Sequence, residues 1–269
     1  MPKAAYTGVG GVARKNKKIY VSPAGVARKV KKGYVGVDGV ARQFFASGTP
    51  IGELPVGTSV YMNVNGVRTE FFVVHQGLPS SAYDSSCNDT WLLMKDVYIR
   101  QKNQASTNTN AYEKSTAHTY LNDTFYNLLD AGIKNIVKQV KIPYVQGDRA
   151  NTLLTGSNGL STKIFLLSAP EVNYVHSDIT SGEGVALSYF SSCATSAADS
   201  KRIAYMNGTA NHWWTRSPCR SHGGMSYYVN TSGGCACAHG SSSTTRGTRP
   251  ALILPKATLV DSNFDITVQ

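Results

Sequence analysis

Asn211-His212-Trp213-Trp214-Thr215-Arg216-Ser217-Pro218 is the stretch on which the fold turns. Adjacent tryptophans on an extended chain point to opposite faces, and each brings roughly 150–250 Å² of surface to bury. A strand here needs packed material on both sides. Downstream, Arg249-Pro250-Ala251-Leu252-Ile253-Leu254 places a second arginine before a second apolar run. The guanidinium fork suits tying loop carbonyls or acids together, so Arg216 and Arg249 are read as structural anchors.

Outward from this pair, further strands are legible. Val60, Met62 and Val64 alternate, Asn65-Gly66 is a hairpin turn signal, and 71–74 returns, so residues 57–74 predict a hairpin. Trp91-Leu92-Leu93-Met94 and residues 163–167 are short apolar runs of the buried-strand type, and Val140 and Ile142 flank Lys141 in the same sense. One amphipathic helix is predicted over about 116–130, with Leu121, Phe125, Leu128 and Leu129 on one face and Gly132 as its C-terminal cap. Ser168-Ala169-Pro170-Glu171 is a capping-box pattern with proline in the first turn, which predicts a short helix after the 163–167 strand.

The 269-residue chain carries a net charge of +11, concentrated at one end. Residues 1–45 hold ten Lys and Arg against Asp38 alone. Gly-Val-Ala-Arg recurs at Gly11, Gly25 and Gly39, a period of 14 residues, which is a repeat signal. Each unit predicts two short strands turning near Lys17-Lys18 or Lys31-Lys32-Gly33. Lysines on such strands guard exposed edges, so nucleic acid is not the expected partner although Tyr20 and Tyr34 interleave with the bases. Ala46-Ser47-Gly48-Thr49-Pro50 is a natural boundary. Two parts are expected: a basic repeat module over 1–48 and a larger domain over 49–269. No run approaches a membrane span, and no secretory signal opens the chain, so neither insertion nor a disulfide framework is expected for Cys87, Cys193, Cys219, Cys235 and Cys237.

The order of these anchors carries a resemblance. Phe72-Val-Val-His75, the 91–94 run, Tyr120-Leu-Asn-Asp-Thr-Phe125, the 164–168 run leading to Glu171, the Trp-Trp-Thr-Arg-Ser-Pro motif and Arg249-Pro-Ala-Leu252 resemble DUF6273-type proteins of phages and Firmicutes over about 55–257. The resemblance implies an α+β fold: a C-type-lectin-like domain, here preceded by a small all-β repeat module. It also implies kinship with target proteins of diversity-generating retroelements, in which reverse transcription at adenines rewrites codons near the end of the domain. Residues 219–248 fit that pattern. They lack Lys, Glu, Gln and Trp, and all but Met225 can be encoded by pyrimidine-ending codons.

The expected variable, ligand-binding surface comprises His212, Cys219, Arg220, Ser221, His222, Ser226, Tyr227, Cys235, Ala236, Cys237, Ala238, His239, Gly240, Ser241, Ser242 and Arg246. Short polar and aromatic side chains bond and stack at little ordering cost. The expected partner is a bacterial surface protein or glycan, with other tail proteins meeting the N-terminal module. The expected setting is a phage virion, or else a bacterial cell surface. Display as a trimer would raise weak single-site affinity. No triad order, paired acids or phosphate loop marks an enzyme, and neither catalytic residues nor a cofactor are expected. Two alternatives stand beside this reading: a fixed structural tail or surface protein, and a zinc protein using Cys219, His222, Cys235, Cys237 and His239.

Overall fold

The computed structural model describes residues 48–106, 108–241 and 245–268, together with strand backbone inside 6–46. In that N-terminal stretch Tyr6–Val9 pairs with Val12–Lys15, Ile19–Val21 with Arg28–Val30, and Lys32–Val37 with Val40–Ala46, all antiparallel. Antiparallel strand pairs are present, but they are not the expected units, because different strands are paired. The connections inside the pairs lie at 10–11, 22–27 and 38–39, so Lys32 and Gly33 belong to a strand and not to a turn. Lys17-Lys18 and Lys31 lie outside the described residues.

Two five-stranded sheets organise the rest. In chain order their strands are β1 (Ser59–Val64), β2 (Val67–Gly77), β3 (Asp89–Met94), β4 (Ile99–Arg100), β5 (Ile164–Phe165), β6 (Trp213–Pro218), β7 (Met225–Val229), β8 (Cys235–His239), β9 (Gly247–Thr248) and β10 (Ala251–Leu254). The first sheet runs β5-β10-β3-β2-β1 and the second β4-β9-β6-β7-β8. The β1–β2 hairpin turns on Asn65 and Gly66, both at positive φ (52° and 74°), the conformation an Asn-Gly turn supplies without strain.

Both faces of the first sheet are covered, which is why its strands read as unbroken apolar runs. Trp91, Leu93, Ala251 and Ile253 enter one core cluster, while Leu92, Met94, Leu252 and Leu254 enter the other. The tryptophan pair behaves likewise: Trp213 lies in the first cluster and Trp214 in the second, each fully buried. Each indole N–H finds a carbonyl, Trp213 at Arg202 (2.9 Å) and Trp214 at Gln101 (3.0 Å).

Helix is scarce. Strand accounts for 34% of the chain and helix for 17%, spread over short segments around several small sheets. The α+β lectin-like expectation is therefore wrong in class, and the fold is β-dominated. Two local events explain it. The 116–130 helix does form, starting at Ser115, whose hydroxyl caps His118 N–H (2.9 Å). It consists of α1 (Thr116–Tyr120) and a π-type continuation at Leu121–Phe125, and the helical run ends at 127. Leu121, Phe125 and Leu129 are buried as the pattern requires. Gly132 is not its cap; it lies inside α2 (Ala131–Ile136), where a Cβ would strike Val268.

The second event is at 168–171. The capping box closes, with Ser168 N–H bonded to Glu171 Oε2 (2.9 Å) and Glu171 N–H to Ser168 Oγ (3.2 Å), yet the chain continues only in turns. The same carboxylate takes both NH1 and NH2 of Arg216 at 2.6 Å. The box here locks a corner around a buried ion pair instead of starting a helix.

Candidate functional site

The second sheet ends in an edge, β8, and a turn, 219–222, and most of the expected contact residues lie there. Three buried features hold this edge. Arg216 donates to Pro143 O, Leu166 O and Glu183 O besides Glu171. Arg202, fully buried and not anticipated from the sequence, donates to the carbonyls of Val172, Asn173, Ala194, Ala197 and Gly233. It thereby gathers the turn-rich 172–199 segment against the β7–β8 connection. Nothing in a Ser- and Ala-rich run announces an arginine of this kind. Arg249 donates Nε to Met94 O at 2.8 Å and lies over Trp213. Burial pushes its pKa down to about 10.

Asn110 is a fourth clamp, and it acts on the turn itself. Its Nδ2 lies within hydrogen-bond range of Cys219 O (3.2 Å), His222 O (3.0 Å) and Met225 O (2.9 Å). Its Oδ1 accepts from Asp148 N–H at 2.6 Å. Asn110 is 1% exposed, so removing its amide takes the acceptor from Asp148 N–H and leaves the carbonyls of Cys219, His222 and Met225 with only their backbone donors inside the turn. Asn110→Ala is expected to cost about 2–3 kcal/mol. Backbone amides of 219–225 should also exchange faster with solvent than those of the first sheet. Uniform loss of protection, or none, would show that the turn does not depend on this clamp.

Strand alternation divides the expected surface between two faces. β7 and β8 pair Met225 with His239, Ser226 with Ala238, Tyr227 with Cys237, Tyr228 with Ala236 and Val229 with Cys235. Tyr227 faces the core at 3% exposure, with its hydroxyl 3.1 Å from His176 Nδ1. Tyr228, one residue on, is half-buried on the other face, against His212 and Trp214. The Arg246 guanidinium sits over its ring at 3.9 Å. So the aromatic of the half-exposed patch is Tyr228 and not the expected Tyr227: a one-residue step on a strand exchanges faces. Ala236 and Ala238, small and half-buried, border this patch on the edge strand. Burial, followed by the charges of Arg246 and Arg100, pushes the His212 pKa down.

Of the other expected residues, Arg220, Ser221, His222 and His239 are exposed, whereas Cys219, Ser226, Gly240 and Ser241 are buried. Ser242 lies outside the described residues. His222 and His239 line one half-open cleft of about 370 Å³ with Asn108, Asp148, Arg149, Gly223 and Gly224. Asp148 and Arg149 hold positive φ (59° and 64°) in this rim.

The Cys/His cluster of the zinc alternative is not assembled as one site. Cys219 is joined to Cys237 in a disulfide, although no disulfide framework is expected from the sequence. Cys235, half-buried, packs against the first core cluster, and burial pushes its thiol up to about 12. Cys87 and Cys193 are buried. His75 meets Ser188 Oγ at 2.8 Å and His118 meets Thr162 Oγ1 at 3.2 Å.

The family model described as "Domain of unknown function (DUF6273)" matches residues 88–256, more than half of the chain. The protein belongs to the DUF6273 family. The match begins beside β3 and ends beyond β10, so the DUF6273 region contains the Trp-Trp strand, all three buried arginines, the turn and the edge strand. It leaves out the N-terminal strand pairs and the whole β1–β2 hairpin. No match was found among curated proteins or solved structures.

Proposed function

We propose that this DUF6273 protein is a non-enzymatic binding protein that recognises a bacterial surface protein or glycan, displayed on a phage tail through its basic N-terminal module. We propose further that the exposed positions near its C-terminal edge are diversified by a retroelement. One observation carries the reading. The compositionally distinct segment 219–241 supplies an exposed turn and an edge strand, pinned by Asn110, Arg202 and Arg216, so side chains can change there without moving the anchors. Recognition concentrates on such loops over rigid supports. Two patches are available on opposite faces of β7–β8. One comprises Arg220, Ser221, His222 and His239, and the other His212, Tyr228, Ala236, Ala238 and Arg246. No helix among the described residues is long and apolar enough to cross a membrane.

A specific observation favours the fixed structural alternative. Cys219, Ser226, Tyr227 and Ser241 fall within the segment yet are buried, and random substitution there would damage packing.

Sequencing the flanking DNA separates the two. The expected result is a reverse transcriptase and a near-copy of the codons for about 211–250, with adenine-directed differences at Arg220, Ser221, Ala236, Ala238 and His239. Neither element, or differences falling as often on the buried positions, would leave a fixed tail or surface protein.

A further inference from the structure

The 219–222 turn brings three metal-type ligands together. Ligand atoms of Asp178, Cys219 and His222 all lie within 4.8 Å of one another. Zinc bonds of about 2.0–2.3 Å in a tetrahedron set ligand atoms roughly 3–4 Å apart, so small side-chain adjustments suffice. The cluster is built by backbone and not by chance proximity of long side chains. His222 N–H bonds to Cys219 O at 3.2 Å, closing the turn that puts both side chains on one site. The turn is seated on Asp178: Ser221 N–H donates to Oδ1 (2.7 Å) and Arg220 N–H to the Asp178 carbonyl (3.0 Å). That leaves Oδ2, which lies 2.8 Å from Cys219 Sγ. A disulfide sulfur has no proton to offer a carboxylate, whereas a thiol can donate and a thiolate can share a cation with it.

We propose that the reduced protein binds one zinc ion through Asp178, Cys219 and His222, with Cys219 exchanging between this ion and its disulfide to Cys237. One carboxylate, one thiolate and one imidazole form a three-ligand zinc set that leaves a fourth position for water. His222 also lines the half-open cleft, which gives an ion access to this ligand. The exchange balances with a dithiol reductant. Two electrons and two protons convert the Cys219–Cys237 bond into two thiols while the reductant becomes a disulfide. Zinc then displaces the Cys219 proton to solvent, and Cys237 remains a thiol. The turn is tethered in both states, to β8 by the disulfide or to the Asp178 segment by the ion. This site does not rest on the receptor-binding reading.

The test uses the untagged full chain with zinc alone, by equilibrium dialysis and metal analysis. The oxidised chain should hold no zinc. The chain reduced by a dithiol, then freed of thiol under anaerobic conditions, should hold one per chain. Cys237→Ser, which frees Cys219, should bind one zinc without reductant. His222→Ala, a change at an exposed position, should remove it from both. A folded Cys237→Ser chain that takes up no zinc overturns the proposal. So does equal uptake by oxidised and reduced protein, or uptake that survives His222→Ala.

Discussion

Arg216→Ala is expected to cost at least 3–5 kcal/mol, the scale on which breaking one side of a buried ion pair is felt. Both partners are completely buried, with Arg216 NH1 and Glu171 Oε2 2.6 Å apart. Removing the guanidinium leaves Glu171 with Ser168 N–H and the Tyr83 hydroxyl (2.8 Å) as its donors. The carbonyls of Pro143, Leu166 and Glu183 lose a donor at the same time. A domain has about 5–15 kcal/mol in all, so the variant should be near unfolding at room temperature. Chemical denaturation midpoints measure this directly. Arg216→Met combined with Glu171→Gln should recover much of the loss, since no buried charge remains. A single-variant loss under about 1 kcal/mol would mean that Glu171 reaches water, and that the corner at 168–171 opens readily.

That corner also shows where reading the sequence succeeds and where it stops. Short apolar runs were legible as strands because both faces of the first sheet are buried, so neither face needs polar residues; Trp91 and Leu92 point to different cores. Asn65-Gly66 was legible because few dipeptides accept two positive φ angles in succession. Ser168 to Glu171 misled because a capping box specifies its own local hydrogen bonds and not the conformation of the residues beyond it. The partner that redirects Glu171 is 45 residues away. With that helix gone, and no long helix elsewhere among the described residues, the chain is β-dominated.

The candidate site was legible as a region but not atom by atom. Composition marked 219–248, and the exposed turn and edge strand are there. Choosing Tyr227 over Tyr228 failed because two adjacent tyrosines leave the register of β7 open. The register is fixed by Trp213 facing Val229 and Trp214 facing Tyr228. The disulfide was missed because pairing of Cys219 with Cys237 depends on β7 and β8 lying side by side, which spacing alone does not show. Asp178 was missed for the same reason: it meets Cys219 across 41 residues. Arg202 had no motif at all, since its five carbonyl partners belong to irregular chain.

Glu183→Gln is expected to flatten the pH dependence of stability near neutrality. Glu183 is 1% exposed and neither side-chain oxygen has a hydrogen-bond partner in the structure. Burial raises its pKa to about 7, even though the Arg216 charge and nearby Ser217 and Val145 pull it down. An acid whose folded pKa exceeds its unfolded value, near 4.5, contributes stability that is fully present below pH 4.5. That contribution shrinks as pH rises and is gone once pH has passed 7, because the unfolded chain ionises first and the folded chain must then bury a charge. The interval corresponds to about 3 kcal/mol. Burial lowers the pKa of His75, His118 and His212, and those groups push stability the opposite way, upward as pH rises through their unfolded range. The raw pH profile therefore mixes both signs, whereas the difference between wild type and Glu183→Gln isolates the carboxyl. That difference should be small at pH 5 and favour the glutamine variant by about 3 kcal/mol at pH 8, read from urea midpoints at constant m-value. A pH-independent difference would mean that Glu183 is ionised throughout and stabilised by Arg216. A larger m-value for the variant would instead mean that the 183 segment already opens in the wild-type native state.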